Sequence, residues 1–254
     1  MGTGFILSSR FLTLRVCATV LATAGLVLAG VVPPEPVEAD NPEVTAIVDR
    51  YVATALAQQN NLRGMKMDME IDAALPKLKK SGKMEALRQI SKLGQITYQG
   101  LKFIGDNTIK NDVIVRYLTA ERQTQDMNSL AITPKNYKFK YKGVSERNSR
   151  TVHVFQIAPR KKQVGLFKGE LWVDASTYMP VRESGRFVKN PSIFLKKMEF
   201  IREYEIRDGI AVPSHIESVV DTRFWGQAQM SINYKNFSRT EEEHANLQTH
   251  TDTQ

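Results

Sequence analysis

The sequence of 254 residues carries a formal net charge of +8, is 42% hydrophobic and contains one cysteine. A single cysteine excludes intrachain disulfides, and a chain of this length can bury one sizeable core, which predicts a single domain. The sequence contains no P-loop, no G-x-G-x-x-G fingerprint, no G-x-S-x-G elbow and no H-E-x-x-H motif, which excludes the enzyme classes that depend on those motifs.

The N-terminal segment has the layout of a secretory signal peptide. Arg10 and Arg15 form a short basic region, the apolar run 16–32 follows, and three prolines end it before Ala39. We therefore expect cleavage after Ala39, a mature chain that begins at Asp40, and a periplasmic location. The only cysteine lies in this segment, so the mature chain is free of cysteine. The apolar run also reaches the lower length limit of a membrane-spanning helix, so an uncleaved inner-membrane anchor is the alternative.

A first helix is predicted directly after the signal peptide. Asn41 is a suitable N-cap, Pro42 suits the first helical position, and seven apolar residues from Val44 to Leu56 recur at helical spacing. The helix is expected to end near Asn60. Its single apolar face must pack on another element of the fold.

The hydrophobic period then changes from 3.6 to 2, which predicts a strand. Met65, Met67, Met69 and Ile71 alternate with charged residues, so one face of this strand must lie against apolar groups and the other against water. Methionine is flexible and polarisable, and it can line a surface that accepts chains of variable shape. Its more common role is core packing between a sheet and helices. The pattern leaves both roles open.

Strands and one further helix are predicted for the rest of the chain. Two strands are expected over 84–92 and 95–104, with a bulge at Gly100 where the alternation slips phase. Residues 106–122 form a second predicted helix, and Asp208-Gly209 is the strongest hairpin pair in the strand series that follows. The pattern predicts a mainly β (α+β) fold of roughly ten antiparallel strands and two helices. The strands of the later series are predicted over 137–141, 152–157, 164–173, 178–188, 194–207, 210–222 and 228–237.

These elements divide the chain into three parts. Residues 1–39 form the signal peptide and residues 40–238 form one binding domain. Residues 239–254 are polar, contain three consecutive glutamates and show no apolar period, which predicts a disordered tail.

The side chains that could carry chemistry do not form a catalytic or metal-binding pattern. His153 and His215 fall in predicted strands, where an ordinary half-buried histidine is expected, while His244 and His250 are six residues apart in the polar tail, a weak spacing for a metal site. We therefore predict a protein that is not an enzyme, with no catalytic residue, no metal and no cofactor.

The positive charge allows one class of partner and disfavours another. A basic exported protein suits an anionic membrane surface, but the lysines are spread along the sequence, which favours solvated strand ends and turns. No nucleic-acid-binding motif is present, so nucleic acid is not an expected partner.

Several segments resemble the LolA-like family of periplasmic outer-membrane lipoprotein-sorting proteins, which are themselves similar to LolB and to the sensor domains of RseB and MucB. The similarity covers most of the mature chain in order and includes the turn patterns D-x-x-T-x-x-P and D-G-x-x-x-P, which are partly general hairpin chemistry. Besides the signal peptide, the segments that carry it are 41–60, 169–174, 177–182, 197–202, 208–213 and 231–234.

This resemblance implies an unclosed antiparallel β-barrel, or half-barrel, whose helices serve as a lid over a hydrophobic cavity. It further implies a periplasmic carrier or acceptor that binds the acyl chains of a lipoprotein or lipid in outer-membrane lipoprotein sorting. The alternative is a non-catalytic sensor or scaffold module, similar to RseB, that binds an envelope protein. Carriers of the family have an arginine that closes the lid, and Arg63 is the positional candidate. The predicted ligand-binding residues are Met65, Met67, Met69, Ile71, Phe103, Phe139 and Met198.

Overall fold

A computed structural model describes residues 37–38, 41–123, 127–190 and 195–239. From residue 240 onward, the predicted tail lies outside the described residues. The predicted signal peptide also lies outside them, except for residues 37–38. The described residues all belong to one compact unit, Pro34–Gln254. Within them, none of the helices combines the length and apolar character that crossing a bilayer requires.

The eleven strands of the described residues form a single sheet in which every neighbouring pair is antiparallel. The strand order is β1-β5-β6-β7-β8-β9-β10-β11-β2-β3-β4, so β1 and β4 are edges and the sheet is not closed. The predicted mainly β class with an unclosed antiparallel sheet is confirmed. The strands are β1 (Val37–Glu38), β2 (Met65–Leu75), β3 (Lys80–Ile90), β4 (Ile96–Gly105), β5 (Tyr137–Arg147), β6 (Arg150–Pro159), β7 (Phe167–Asp174), β8 (Pro180–Phe187), β9 (Leu195–Arg207), β10 (Ile210–Thr222) and β11 (Gln227–Arg239).

The first predicted helix is confirmed as α1, Pro42–Asn61. The Asn41 side chain caps it by accepting a hydrogen bond from the backbone N–H of Glu43 at 2.9 Å, which satisfies one of the free donors of the first turn. The apolar face is buried as its spacing predicts, with Val44 and Tyr51 only 3% and 4% exposed.

The second predicted helix is present but is not a regular α-helix throughout. A π-helical segment, Ile109–Ile114, precedes α2, Val115–Gln123. Ile109 and Ile114 are both fully buried and are five residues apart, and a π turn, which pairs residues i and i+5, brings both onto the face that Leu118 continues. The four-residue helix α3, Met127–Leu130, follows and had no signal in the sequence.

Two predicted turn features are confirmed at glycine. The bulge occurs at Gly100, whose φ is +62° and where two residues of β4 lie opposite one of β3. Asp208 and Gly209 both have positive φ, as a type I′ hairpin requires, and they join β9 to β10.

Two predicted strand starts are wrong by several residues. The strand predicted from residue 84 begins at Lys80, because the short turn Pro76–Leu78 with Lys79 at φ 52° reverses the chain earlier than expected. The strand predicted from residue 164 begins at Phe167, because Gly165 at φ +89° takes the chain out of extended geometry beside the Leu130 side chain.

Cross-strand pairing identifies one continuous face of the sheet. Directly paired residues point to the same side, and one such row joins eight of the strands. We call the side that carries this row the inner face. The row is Ile71, Ile232, Ile216, Arg202, Glu183, Leu171, Phe155 and Tyr141.

Two apolar clusters cover most of the inner face. The methionine cluster lies under the π-helical segment and α2, and the aromatic cluster lies under α1. The main members of the methionine cluster are Met65, Met67, Met69, Ile71, Met84, Ile109, Ile114, Leu118 and Ile232. The main members of the aromatic cluster are Val44, Val48, Tyr51, Tyr137, Phe139, Phe155, Leu166, Phe167, Leu171 and Phe200.

Candidate functional site

Five of the seven predicted ligand-binding residues lie together in the methionine cluster. Met65, Met67, Met69 and Ile71 follow one another along β2 on the inner face, and each is less than 10% exposed. Phe103, on β4, packs against them. The alternation of β2 therefore places four of the predicted residues in one buried apolar cluster, at the half of the sheet that the second helix covers.

The structure places the other two predicted residues elsewhere. Phe139 on β5 belongs to the aromatic cluster, and six strands separate β5 from β2 in the sheet. Met198 on β9 pairs with Val220 and is a member of neither buried cluster. Sequence alternation identifies which face a side chain occupies but not which strands become neighbours. The sequence prediction therefore grouped residues that lie in three separate places on the sheet.

A buried ion pair connects the sheet to the helix that covers the methionine cluster. Arg88 on β3 donates to Oε1 of Glu121 on α2 at 2.7 Å from Nη2 and 3.2 Å from Nε, and the Arg88 side chain is only 8% exposed. Tyr98 on β4 donates to the other Glu121 oxygen. Nη1 of Arg88 also lies 3.7 Å from the Met67 sulfur. These contacts anchor α2 over the predicted ligand-binding methionines.

The surroundings of this group raise the pKa of Arg88 and of three tyrosines near it. Burial opposes the charge of Arg88, but Glu121 outweighs it and raises the pKa of Arg88 above its usual value. Burial raises the pKa of Tyr98, and Glu121 raises it further. Burial also raises the pKa of Tyr117 on α2 and of Tyr234 on β11. All three tyrosines therefore keep their hydroxyl protons at neutral pH.

A second polar group separates the two apolar clusters. Arg202 on β9 donates to Oε2 of Glu183 on β8 at 3.1 Å, and the Tyr204 hydroxyl donates to Oε1 of Glu183 at 2.8 Å. In the inner-face row this pair stands between Ile216 and Leu171. The Arg202 side chain is 38% exposed although Glu183 is only 8% exposed. The Arg202 side chain therefore reaches solvent between the clusters.

These polar groups could have been recognised in the sequence, because charged residues stand at strand positions where the alternation predicts apolar ones. Arg88 occupies the inward phase of β3, after Met84 and Ala86, where an apolar side chain is expected. Arg202 takes the same phase in β9, two residues after buried Phe200. A charge in the inward phase of a strand costs free energy unless it is paired, so such positions mark either a buried ion pair or a site.

Arg63 is the positional candidate for the lid-closing arginine that the resemblance implies. Arg63 lies exposed in the turn after α1, with its side chain near Gly94. The arginine that contacts a covering helix over the methionine cluster is Arg88, one strand further along the chain.

The two strand histidines have ordinary hydrogen-bond partners. Nδ1 of His153 lies 2.9 Å from the Tyr141 hydroxyl, and burial lowers the pKa of His153. His215 lies between Asn233 at 2.7 Å and Glu217 at 3.3 Å. In the described ranges, no group of three or more histidine, cysteine or acidic side chains could hold a metal ion. His244 and His250 lie outside the described residues.

Comparison with known proteins identifies similar structures at low sequence identity. No protein-family model and no curated protein matches the sequence. The chain is similar to a DUF1329 family protein from Desulfovibrio piger, with 13% identity, a TM-score of 0.41, and coverage of 78% of this chain and 93% of that one.

Two further structures are similar to a comparable extent. One is an outer membrane lipoprotein-sorting protein domain from Vibrio parahaemolyticus, with 13% identity, a TM-score of 0.38, and coverage of 76% of this chain and 92% of that one. The other is a LolA superfamily protein from Nitrosomonas europaea, with 12% identity, a TM-score of 0.36, and coverage of 77% and 92%.

Proposed function

We propose that this protein is a periplasmic carrier or acceptor that holds the acyl chains of a lipoprotein or lipid against the inner face of its sheet, in the sorting of outer-membrane lipoproteins. It needs no cofactor and performs no catalysis. The observation that carries the proposal is the methionine cluster, a soft apolar surface under a helix that is anchored by a small number of polar contacts.

The chemistry of the cluster suits an acyl chain. Thioether side chains are unbranched and polarisable and can rearrange around ligands of different length. Met67, Met69 and Met84 are all almost fully buried in the structure, so a ligand can enter only if the covering helix moves. In this proposal the acyl chain replaces the contacts that Ile109 and Ile114 make with the cluster.

The polar contacts around Glu121 define how the covering helix would move. Breaking the Arg88–Glu121 pair exposes two charges that water can solvate, which offsets part of the cost of separating them. The π-helical segment is an irregular helix with weaker hydrogen-bond geometry, and such segments are common at functional sites. We therefore expect the movement of the covering helix to begin at the junction of this segment with α2.

Extraction of the native protein tests the proposal directly. Protein purified from the bacterial envelope without detergent is extracted with organic solvent, and the extract is analysed by mass spectrometry for acyl chains. We expect stoichiometric acyl lipid or lipoprotein. Absence of acyl species from protein isolated in this way, together with no uptake of an acyl probe, would exclude the carrier function.

Substitution of Met67 tests the site within the same experiment. Met67→Leu should keep the fold and the uptake of a fluorescent fatty acyl probe. Met67→Glu should remain folded, because the new carboxylate lies close to Arg88, but probe uptake should fall at least tenfold. Thermal melting on the same preparations separates loss of binding from loss of fold. A folded Met67→Glu protein with unchanged uptake would remove the methionine cluster from the site.

A second function is supported by a separate observation at the sheet edge. β4 is a ten-residue edge strand, and its Leu101 and Ile104 side chains are 54% and 78% exposed. An exposed edge of this length can accept an extended segment of another protein. A scaffold or sensor that binds an envelope protein along β4 would yield no acyl chains on extraction, which distinguishes it from a carrier.

Export is part of the proposal and has its own test. We propose cleavage after Ala39, and the short strand β1, which pairs Val37 with Tyr141 and Glu38 with Lys140, would then be removed with the signal peptide. N-terminal sequencing of the protein from the cell envelope should begin at or near Asp40. Recovery of the intact N-terminus in the membrane fraction would indicate an anchored protein instead.

A further inference from the structure

The excess positive charge of the chain lies at one end of the sheet. The start of β5, the end of β6, the start of β7, the end of β8 and the start of β9 meet there, because consecutive strands are antiparallel. In residues 134–138, 159–168, 186–190 and 195–199, ten residues are basic and only Glu199 is acidic, a formal charge of +9 against +8 for the whole chain. We call these ten residues the basic end. They are Lys135, Lys138, Arg160, Lys161, Lys162, Lys168, Arg186, Lys189, Lys196 and Lys197.

The strand register places like charges side by side in this region. Lys168 on β7 is paired directly with Arg186 on β8, and both side chains are exposed. Like charges directly opposite each other destabilise a sheet. Folding stability alone does not account for this arrangement, whereas a negatively charged partner at this surface does.

The basic end is largely free of internal neutralisation. Among the residues that the structure describes, only Arg186 and Lys197 of the ten have an ion-pair partner, and both pair with Glu199, at 3.5 Å and 2.8 Å. Asp221 on β10 is the neighbouring acid, and it is paired in register with Lys197 and accepts a hydrogen bond from Gln227. Eight basic side chains therefore face solvent without a counter-charge from the described residues.

Apolar side chains project from three turns at the same end. Cross-strand pairs run in one row from Arg186 through Glu199, Val219 and Gln229 to Ala74, so the turns after β2 and β10 lie at this end as well. Each of three turns there exposes one large apolar residue. These are Leu78 at 40%, Val164 at 40% and Phe224 at 68% exposed.

We propose that the basic end is a docking surface for an anionic lipid bilayer. Five strands span about 20 Å at the usual strand spacing, so the charges form a broad array rather than a cleft for a single ligand. Basic side chains together with exposed apolar tips match a surface of anionic head groups over hydrocarbon. Sequence spacing alone disfavours one basic surface, because the lysines come from separate segments that only the strand register brings together.

Vesicle binding by matched variants tests this proposal. The protein isolated from the cell envelope is mixed with vesicles of phosphatidylcholine alone or with about one third phosphatidylglycerol, and bound protein is measured by flotation. We expect binding to the anionic vesicles only, and weaker binding when salt is raised from about 0.1 M to 0.5 M. The triple variant Arg160→Gln, Lys161→Gln, Lys162→Gln should bind about a hundredfold more weakly.

A control variant with the same change in net charge identifies the surface. Arg63→Gln, Lys102→Gln and Lys235→Gln remove three exposed positive charges away from the basic end, and this variant should bind almost as well as the wild type. Equal losses in the two variants, or absence of wild-type binding to anionic vesicles, would overturn the proposal. Binding to heparin without binding to vesicles would also overturn it and assign the surface to a soluble polyanion.

One more variant tests the exposed apolar side chains of the turns, and its result does not depend on acyl binding by the methionine cluster. Phe224→Ser should weaken vesicle binding several-fold while leaving its salt dependence unchanged. Uptake of the fatty acyl probe should be the same in all of these variants, since their changes lie outside the methionine cluster. Failure of vesicle binding with normal probe uptake would therefore reject the docking surface and leave the proposed carrier function intact.

Discussion

The two apolar clusters of the inner face are built from different side chains, and their covering helices are held in different ways. The aromatic cluster contains edge-to-face ring pairs, such as Phe139 with Phe155 and Phe167 with Phe200, with interplanar angles of 82° in both. The methionine cluster contains flexible thioethers instead. Aromatic pairs of this geometry fix the arrangement of their neighbours, whereas methionines tolerate rearrangement.

The helices differ in the same direction. α1 is a regular helix, and its Gln58 side-chain amide bonds the β9–β10 hairpin. Nε2 donates to the Gly209 carbonyl at 3.1 Å, and Oε1 accepts from the Ala211 N–H at 3.0 Å. The second helix begins with a π-helical segment and depends on the ion pair of Glu121. The aromatic half is therefore suited to be the fixed frame of the protein, and the methionine half to be its adaptable part.

Truncation of one matched side chain in each cluster should give the largest effect. Leu171 and Met69 are both almost fully buried, at 0% and 1% exposed. We expect Leu171→Ala to lower the free energy of unfolding by about 3–5 kcal/mol and Met69→Ala by about 2 kcal/mol, because flexible neighbours can partly fill the smaller cavity. Urea denaturation measures both. Equal losses would contradict the contrast between the two halves.

Removal of the charge on α2 should come next in size. Glu121→Leu leaves the Arg88 guanidinium buried without a partner, so we expect a loss of about 3 kcal/mol in the free energy of unfolding. Hydrogen exchange should rise in α2 but not in α1. The double variant Arg88→Leu with Glu121→Leu should recover most of this stability, and failure to do so would show that the two residues act independently.

Removal of the Gln58 hydrogen bonds that hold α1 on the β9–β10 hairpin is expected to have a smaller effect. Gln58→Ala removes both hydrogen bonds to the β9–β10 hairpin, which should cost about 1–2 kcal/mol of unfolding free energy. Hydrogen exchange should rise at the C-terminal end of α1 and leave α2 unchanged. Protection lost in α2 instead would mean that the two helices are coupled.

The smallest expected effect is a pH dependence of folding stability that arises from His153, which lies in the aromatic half. Burial lowers the pKa of His153 below its usual value of about 6.5, so the unfolded chain binds a proton more readily than the folded one. Stability should therefore fall as the pH drops below about 6.5 and level off below the folded pKa. His153→Gln should flatten this slope between about pH 5 and pH 7. An unchanged slope would assign it to other groups.

Much of this fold could be predicted from local patterns in the sequence. The cap at Asn41, the alternation along β2 and the Asp208-Gly209 hairpin each depend on a few adjacent residues, and all three are confirmed. The candidate site was harder to predict. Whether Phe139 lies near Met67 depends on the order of strands in the sheet, which is set by contacts between distant segments that no single stretch of sequence encodes.

The same reason explains why the polar groups were missed. Arg88 and Glu121 are separated by 33 residues along the chain and belong to different elements, so their pairing has no local period. The π-helical segment was missed for another reason, since the five-residue spacing of Ile109 and Ile114 is close enough to helical spacing to pass as an ordinary helix.

That π-helical segment also makes the chain locally tolerant of a change in length. A π turn accommodates one residue more than an α-helix between the same two anchor points. Deletion of Asn111, which is exposed, would bring Ile109 and Ile114 to the four-residue spacing of an α-helix and still keep them on one face with Leu118. Proteins that share this fold could therefore differ in length by one residue here. In such proteins an insertion of one residue, rather than a substitution, would mark the position of the irregular turn in the covering helix.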